Sequence, residues 1–182
     1  VAESWRSGDV PDDWVPVATL RPSGDALVTA RPFSFYALSP DSAARLRETL
    51  QTTVDTLPPR MALHFTGTRN ISVESMTLEG GGVLLEGTEV GFYSNGTACT
   101  QITGSGHLSL TAHGTLADGR GPRFEVARGE QQTSLEADEQ ARQLRVGPVS
   151  EGQRVCIRYE DDLIDSSGND RNLWVSQLEI TP

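Results

Sequence analysis

Residues 107–113 read HLSLTAH, and this strict alternation carries the fold prediction. Because successive side chains of a β-strand point to opposite faces, the two leucines and Ala112 are expected to point inward and the two histidines outward. From Met61 onward, similar short runs recur between glycine-containing turns, with no helical period between them. We therefore predict an all-β fold, an antiparallel β-sandwich or jelly roll.

The residues before this region are predicted to form an N-terminal extension, residues 1–69, that contains one α-helix over about 40–57. Ser39 is a suitable N-cap and Pro40 a favoured first helical residue. One apolar stripe recurs at spacings of four and three, at Leu46, Leu50, Val54 and Leu57. We also expect an arm over residues 1–13, anchored by Trp5, and short strands at 14–20 and 26–38. The extension is either a second small domain, the end of an upstream domain, or elements packed on the sandwich. The narrow stripe favours packing.

The composition argues against two classes of partner. The formal net charge is −10 and all 15 basic residues are arginines. Binding of nucleic acid needs clustered positive charge, so we do not expect it. No apolar run reaches the ~18 residues that a membrane-spanning helix needs. The chain begins at Val1 without a methionine, which fits either a mature protein or a truncated sequence that lacks its signal peptide or upstream region.

The phases of two other strand patterns make local predictions. Cys99 and Cys156 both fall on the polar phase of their runs, and Tyr159 shares the opposite phase of its run with Val155 and Ile157. If the two strands are neighbours, a cross-strand disulfide and an oxidising compartment follow. Two free thiols are the alternative. The inward phase of the last strand changes within 173–180, which predicts a β-bulge near Ser176 and Gln177.

Catalytic chemistry is not indicated by the sequence. It lacks a G-x-S-x-G nucleophile motif. His107 and His113 would lie about 20 Å apart on one extended strand, so they cannot share a metal ion and are expected to be exposed polar residues. No two carboxylates are paired by spacing as a glycosidase would require.

An acidic loop is expected between Tyr159 and Leu173. Five carboxylates lie there, at Glu160, Asp161, Asp162, Asp165 and Asp170. Calcium takes six to eight oxygen ligands from such flexible loops. The sequence therefore indicates either a calcium site or a solvated acidic turn.

Four landmarks occur in order: ISVESMTLEGGG at 71–82, FYSNG at 92–96, LTAHGTLADGRGPRFEV at 110–126 and DDLIDSSGNDRNLWV at 161–175. With them, residues 70–182 resemble the calcium-dependent, xylan-binding type of carbohydrate-binding module, families 36 and 60. The resemblance implies a non-catalytic β-sandwich whose loop calcium binds vicinal sugar hydroxyls directly. It leaves residues 1–69 unexplained.

The resemblance also implies site residues. The calcium ligands would be Asp162 and Asp170, supported by Asp165 and Asn172, with Asp161 standing where the family often has asparagine. Arg171 would brace the loop by pairing with a carboxylate. A second, structural calcium would use Glu74, but Ser176 stands where the family has its second acid. The residues expected to stack on sugar are Trp174, Tyr159 and Tyr93, each with a core role as the alternative.

We therefore expect an extracytoplasmic domain, periplasmic, secreted or at the cell surface, that uses calcium to bind a polysaccharide. The glycan would be xylan-like or another diol-bearing polymer. The alternative is a structural or scaffold subunit of a cell-envelope assembly, which keeps this fold and binds other envelope proteins instead of sugar.

Overall fold

The computed structural model describes residues 14–22, 33–57 and 61–182. The predicted arm with Trp5, and the first part of the strand expected at 26–38, lie outside these ranges. Among the described residues, no helix is long and apolar enough to cross a membrane.

The extension contains a three-stranded antiparallel sheet and one helix. The sheet has the order β2-β1-β3. Its elements are β1 (Val15–Pro22), β2 (Phe33–Ala37), α1 (Pro40–Gln51) and β3 (Met61–Phe65). The helix stripe packs on β1 and β2 in a small core of its own, which includes Val17, Ala43 and Leu63. The partner of the stripe is therefore the sheet of the extension itself.

The helix begins as predicted and ends earlier. The Ser39 hydroxyl accepts a hydrogen bond from the Ser42 amide at 3.3 Å, which confirms the N-cap. The prediction of helix to residue 57 is wrong, because α1 ends at Gln51 and only a 3-10 turn, Val54–Thr56, follows. The hydroxyls of Thr52 and Thr53 donate to carbonyl oxygens one turn earlier, at 2.7 and 2.8 Å. Such threonine bonds compete with continued helix.

Residues 69–182 form two antiparallel sheets, which confirms the predicted β-sandwich. In chain order the strands are β4 (Arg69–Ile71), β5 (Thr77–Glu79), β6 (Val83–Glu86), β7 (Glu89–Phe92), β8 (Gly96–Gln101), β9 (Gly106–Gly114), β10 (Arg123–Arg128), β11 (Gln131–Glu136), β12 (Arg142–Val149), β13 (Arg154–Tyr159) and β14 (Leu173–Thr181). The five-stranded sheet has the order β11-β10-β13-β8-β5. The six-stranded sheet has the order β12-β9-β14-β7-β6, with β4 also paired to β14.

The core lies between these two sheets, where the alternating residues meet. Leu108, Leu110 and Ala112 are fully buried, as their phase predicted. Phe92 and Tyr159 come from opposite sheets and meet edge to face, with ring centroids 6.0 Å apart. Alternation along each strand thus supplies the inner faces of both sheets.

The structure decides between the two alternatives for the cysteines and confirms the predicted bulge. Cys99 and Cys156 face each other across β8 and β13 and form a disulfide, with Cα atoms 4.1 Å apart. The pairing of β14 with β9 shifts register between Ser176 and Glu179, and Gln177 has a φ of 48°. That shift is the expected bulge, and it lets both halves of β14 face the core.

Candidate functional site

The acidic loop, residues 160–172, connects β13 of one sheet to β14 of the other and therefore lies at one end of the sandwich. Two neighbouring loops hold it in place. The Asp162 amide donates to Asn95 Oδ1 at 3.2 Å, and the Asp118 amide donates to Asp165 Oδ2 at 3.1 Å. The Thr115 hydroxyl donates to the Asp170 carbonyl. Three loops thus form one connected surface.

Arg171 connects the acidic loop to the loop that contains Ala117. Its buried guanidinium donates to Asp161 Oδ1 at 2.9 Å and to the carbonyl of Ala117 at 2.7 Å. The second oxygen of Asp161 accepts from the Arg123 amide at 2.9 Å. Both Asp161 oxygens therefore accept hydrogen bonds from protein donors, and Asp161 is the ion-pair partner of Arg171.

Asp165 shapes the tip of the acidic loop. Its carboxylate accepts from the amides of Ser167 and Asn169 at 2.8 and 2.9 Å, and from Asn169 Nδ2 at 2.9 Å. The side-chain bond from Asn169, followed by backbone bonds from Asp118 and Asn169, lowers the pKa of Asp165 to about 2. Hydrogen bonds to the charged form lower a carboxyl pKa in this way. Asp165 is thus a turn-forming acceptor.

Asp162, Asp170 and Asn172 are the predicted calcium ligands that keep oxygens for another partner. Asn172 Nδ2 donates to Asp170 Oδ2 at 3.2 Å, while Asn172 Oδ1 is buried without a hydrogen-bond partner within the described part of the chain. Carboxylate and amide oxygens suit calcium. However, residues 14–22, 33–57 and 61–182 contain no group of three or more His, Cys, Asp or Glu side chains arranged to hold a metal ion. The same holds for the expected second site, where Glu74 is exposed in a 3-10 turn.

An aromatic platform lies beside the loop, on the outer face of the six-stranded sheet; we use this term for Tyr93, His113 and Trp174. The imidazole of His113 stacks on Trp174, with centroids 5.2 Å apart and an interplanar angle of 6°. The ring of Tyr93 meets Trp174 edge to face at 5.6 Å. Tyr93 and Trp174, two predicted sugar-binding residues, are thus brought together although 81 positions separate them.

Two carboxylates fix the platform. Glu86 Oε2 accepts from the Tyr93 hydroxyl at 2.7 Å and from Trp174 Nε1 at 3.0 Å. The bond to Glu86 raises the pKa of Tyr93 above its usual value. Glu89 Oε2 lies 3.4 Å from His113 Nε2. The rings are therefore oriented by hydrogen bonds as well as by packing.

Gly91 provides the space in which these groups meet. It is paired with Trp174 across β7 and β14. A Cβ atom at this position would lie 3.0 Å from both Glu86 Oε2 and Tyr93 Cε2, and 3.2 Å from Trp174 Nε1. Close approach constrains this position, because a Cβ atom would require the neighbouring side chains to shift by a few tenths of an ångström, whereas the φ of Gly91 is not in the left-handed region.

Tyr159 was predicted to stack on sugar, and the structure corrects this. The side chain is fully buried, and its hydroxyl donates to the carbonyl of Arg171. Burial, with Asp162 nearby, raises its pKa well above the usual value. The alternation that grouped Tyr159 with Val155 and Ile157 was the correct signal, because all three lie in the core.

The sequence did not identify Glu86, Glu89 and His113 as site residues. Strand alternation placed His113 outward, but nothing local showed that it would stack on Trp174. The strand register brings these residues together, because His113 is paired with Trp174 across β9 and β14, and Glu86 with Glu89 across β6 and β7. These contacts become visible only when the strand order is known.

Comparisons with known proteins leave the family open. No family model matches the sequence, and no curated protein matches it. Similar solved structures include a family two carbohydrate esterase from Cellvibrio japonicus, with a TM-score of 0.47 and 18% identity over 63% of this chain. The match covers 32% of the esterase, so the chain spans about a third of that protein.

Two further structures are similar over the same share of this chain. The C-terminal CBM6 of LamC from Zobellia galactanivorans has a TM-score of 0.42 and 19% identity, with 63% of this chain and 99% of that one covered. A GH26-CBM35 β-(1,4)-mannanase from Podospora anserina has a TM-score of 0.35 and 12% identity, covering 63% and 28%. The functional interpretation therefore depends on the loop and the aromatic platform of this chain.

Proposed function

We propose that this sandwich is a non-catalytic domain that binds polysaccharide through the aromatic platform and the acidic loop beside it. The observation that carries the proposal is the partly exposed Trp174, stacked by His113, met edge to face by Tyr93, and hydrogen-bonded to Glu86. Aromatic rings with a few oriented polar groups are typical of ligand sites. The C–H face of a sugar ring packs on such a surface, and carboxylates accept strong hydrogen bonds from its hydroxyls.

The arrangement of Glu86 supports binding rather than catalysis. One of its oxygens already accepts bonds from two ring donors. A general acid needs a proton to give and a geometry that presents it to the substrate. Glu86 is instead a positioned acceptor, which suits the recognition of hydroxyl groups.

Calcium is a further part of the proposal. Asp162, Asp170 and Asn172 would hold the ion, and a bound calcium would offer open coordination positions to sugar hydroxyls. Asn172 Oδ1, which is buried and has no hydrogen-bond partner among the described residues, lies beside the Asp170 carboxylate and supports this assignment. A xylan-like or other diol-bearing glycan and an extracytoplasmic location complete the proposal; the disulfide is consistent with an oxidising compartment.

The first experiment tests the platform. The wild type, Trp174→Ala and the control Tyr36→Ala, which removes a partly buried aromatic residue of β2, are compared by affinity electrophoresis in xylan, glucan and mannan gels. We expect Trp174→Ala to lose retardation and Tyr36→Ala to keep it. Equal retardation of both variants would refute the platform as the binding site.

A second experiment tests calcium. Calorimetric titration with calcium chloride is expected to show binding that Asp162→Ala and Asp170→Ala abolish, and EDTA is expected to remove glycan retardation. Retardation that persists in EDTA, with no heat of calcium binding, would refute the calcium part alone.

A scaffold role is the second candidate, and β6 favours it. This strand lies at the edge of the six-stranded sheet, and Leu84 and Leu85 are about half exposed there. Exposed apolar edge strands are common sites of protein association. The scaffold role would be favoured over the first if the protein bound no glycan and formed an oligomer in light scattering that Leu84→Ser and Leu85→Ser disrupted.

A further inference from the structure

The extension covers one half of the outer face of the six-stranded sheet through polar contacts. Gln143 Oε1 of β12 accepts from the Leu63 amide of β3 at 2.7 Å. His64 Nδ1 lies 3.1 Å from Glu179 Oε1, and Gln51 Nε2 donates to the hydroxyl of Thr181 at 2.8 Å. The aromatic platform lies on the same sheet, towards the other end of β14, where Trp174 is partly exposed.

A cleft of about 470 Å³ opens where the extension meets the sandwich. Its lining includes Arg21 and His64 from the extension, and Asn70, Glu74, Thr88 and Gln177 from the sandwich. Both signs of charge and two amide side chains are therefore present. Such a lining suits a neutral ligand that is rich in hydroxyl groups, because each hydroxyl both donates and accepts.

The bulge of β14 directs Gln177 into this cleft. The residue has a φ of 48°, a region that side chains other than glycine, asparagine and aspartate rarely adopt. Its side-chain oxygen accepts from the Thr111 hydroxyl at 3.3 Å, which fixes its direction. Bulges often redirect a side chain beside a functional site, and such backbone outliers cluster there.

The cleft and the platform adjoin. Trp174 and Gln177 lie three positions apart on β14, about 10 Å at the rise of a strand. In the turn before β7, Thr88 of the cleft directly precedes Glu89, which contacts His113 of the platform. A ligand that leaves Trp174 along β14 therefore reaches the wall formed by the extension.

We propose that this cleft is a second subsite for the same glycan, so that the ligand is an extended neutral polysaccharide segment lying along β14 from Trp174 to Arg21. This inference rests on the proposed function. Arg21 and the Nε2 group of Gln177 donate to sugar oxygens, while Glu74 accepts from hydroxyls. The extension thereby acts as one wall of the binding track.

The test is a series of β-1,4-linked xylo-, gluco- and manno-oligosaccharides, from disaccharide to octasaccharide, titrated calorimetrically into the full chain. Affinity is expected to rise with length until both subsites are filled. Arg21→Ala and Gln177→Ala should each weaken the octasaccharide about tenfold and leave the disaccharide unchanged, since a charged hydrogen bond at a ligand contributes on this order. Arg154→Ala, on the five-stranded sheet, is the matched control and should behave as wild type.

The outcomes separate this inference from the proposed function. The second subsite would be overturned, and the platform kept, if the disaccharide and the octasaccharide bound equally tightly, and if that binding was lost in Trp174→Ala but unaffected by Arg21→Ala. No binding of any oligosaccharide, or of the parent polysaccharides, would overturn both. Circular dichroism of Arg21→Ala and Gln177→Ala checks that each variant is folded.

Discussion

Replacing Cys99 and Cys156 together by alanine is expected to lower the free energy of unfolding by about 4 kcal/mol at 25 °C. The bridge closes a loop with a sequence separation of 57 residues. A cross-link across that separation lowers the entropy of the unfolded chain by about 14 cal/mol/K. At 25 °C this raises the free energy of the unfolded state by about 4 kcal/mol, which is the stabilisation that the double variant loses. The folded state loses little, because β8 and β13 also pair through their backbones on both sides of the bridge.

The measurement is urea denaturation followed by tryptophan fluorescence. The midpoint should fall and the m-value should rise, since the unfolded chain becomes more expanded without the cross-link. Reduced wild type should coincide with the double variant. As a control, Thr97→Ala/Arg158→Ala alters the next cross-strand pair on the same face, which has no covalent bond, and should change stability by less than about 1 kcal/mol. A loss below about 1 kcal/mol in the cysteine variant, or two titratable thiols in the unreduced protein, would refute the reasoning.

Three further predictions concern the site. In Gly91→Ala the added methyl group displaces the Glu86 carboxylate, so glycan affinity in calorimetry should fall about tenfold while the urea midpoint hardly moves; unchanged affinity would contradict the role of this glycine. The lowered pKa of Asp165, about 2 against ~3.9 in the unfolded chain, means that its contribution is complete above pH ~4 and is lost as pH falls towards 2. The difference in melting temperature between wild type and Asp165→Asn should therefore disappear over that range, and a constant difference would argue against it. Arg171→Met should cost about 2 kcal/mol in urea denaturation, because the partly exposed Asp161 loses its buried partner; an Asp161→Asn/Arg171→Met variant as unstable as the sum of the single changes would show that the pair is not coupled.

Local periodicity was sufficient for much of the fold. The alternation in residues 107–113 identified the buried side of β9, and the phase change in β14 located its bulge. Both patterns depend on residues close together in the chain. The end of the helix was predicted wrongly because the apolar stripe continues to Leu57. The helix ends earlier, where Thr52 and Thr53 form side-chain bonds to the preceding turn.

The acidic loop shows where residue type alone is insufficient. Five carboxylates looked alike in sequence, but their surroundings give them different roles. Asp161 pairs with buried Arg171, and Asp165 accepts bonds from the turn it forms. Asp162 and Asp170 remain the residues proposed to hold calcium. Which carboxylates are engaged depends on loops that meet only after the sandwich has formed.

The sequence by itself determined which faces of the strands are buried, where the cysteines lie on their strands and which loop is acidic, because each of these follows from alternation or from local composition. The tertiary structure alone decided that β8 and β13 are neighbours, so that Cys99 and Cys156 form a disulfide, and that Glu86, Tyr93, His113 and Trp174 meet. Those four residues belong to four separate segments of the chain. Their contact depends on the order of strands in a sheet, which no local pattern of residues specifies.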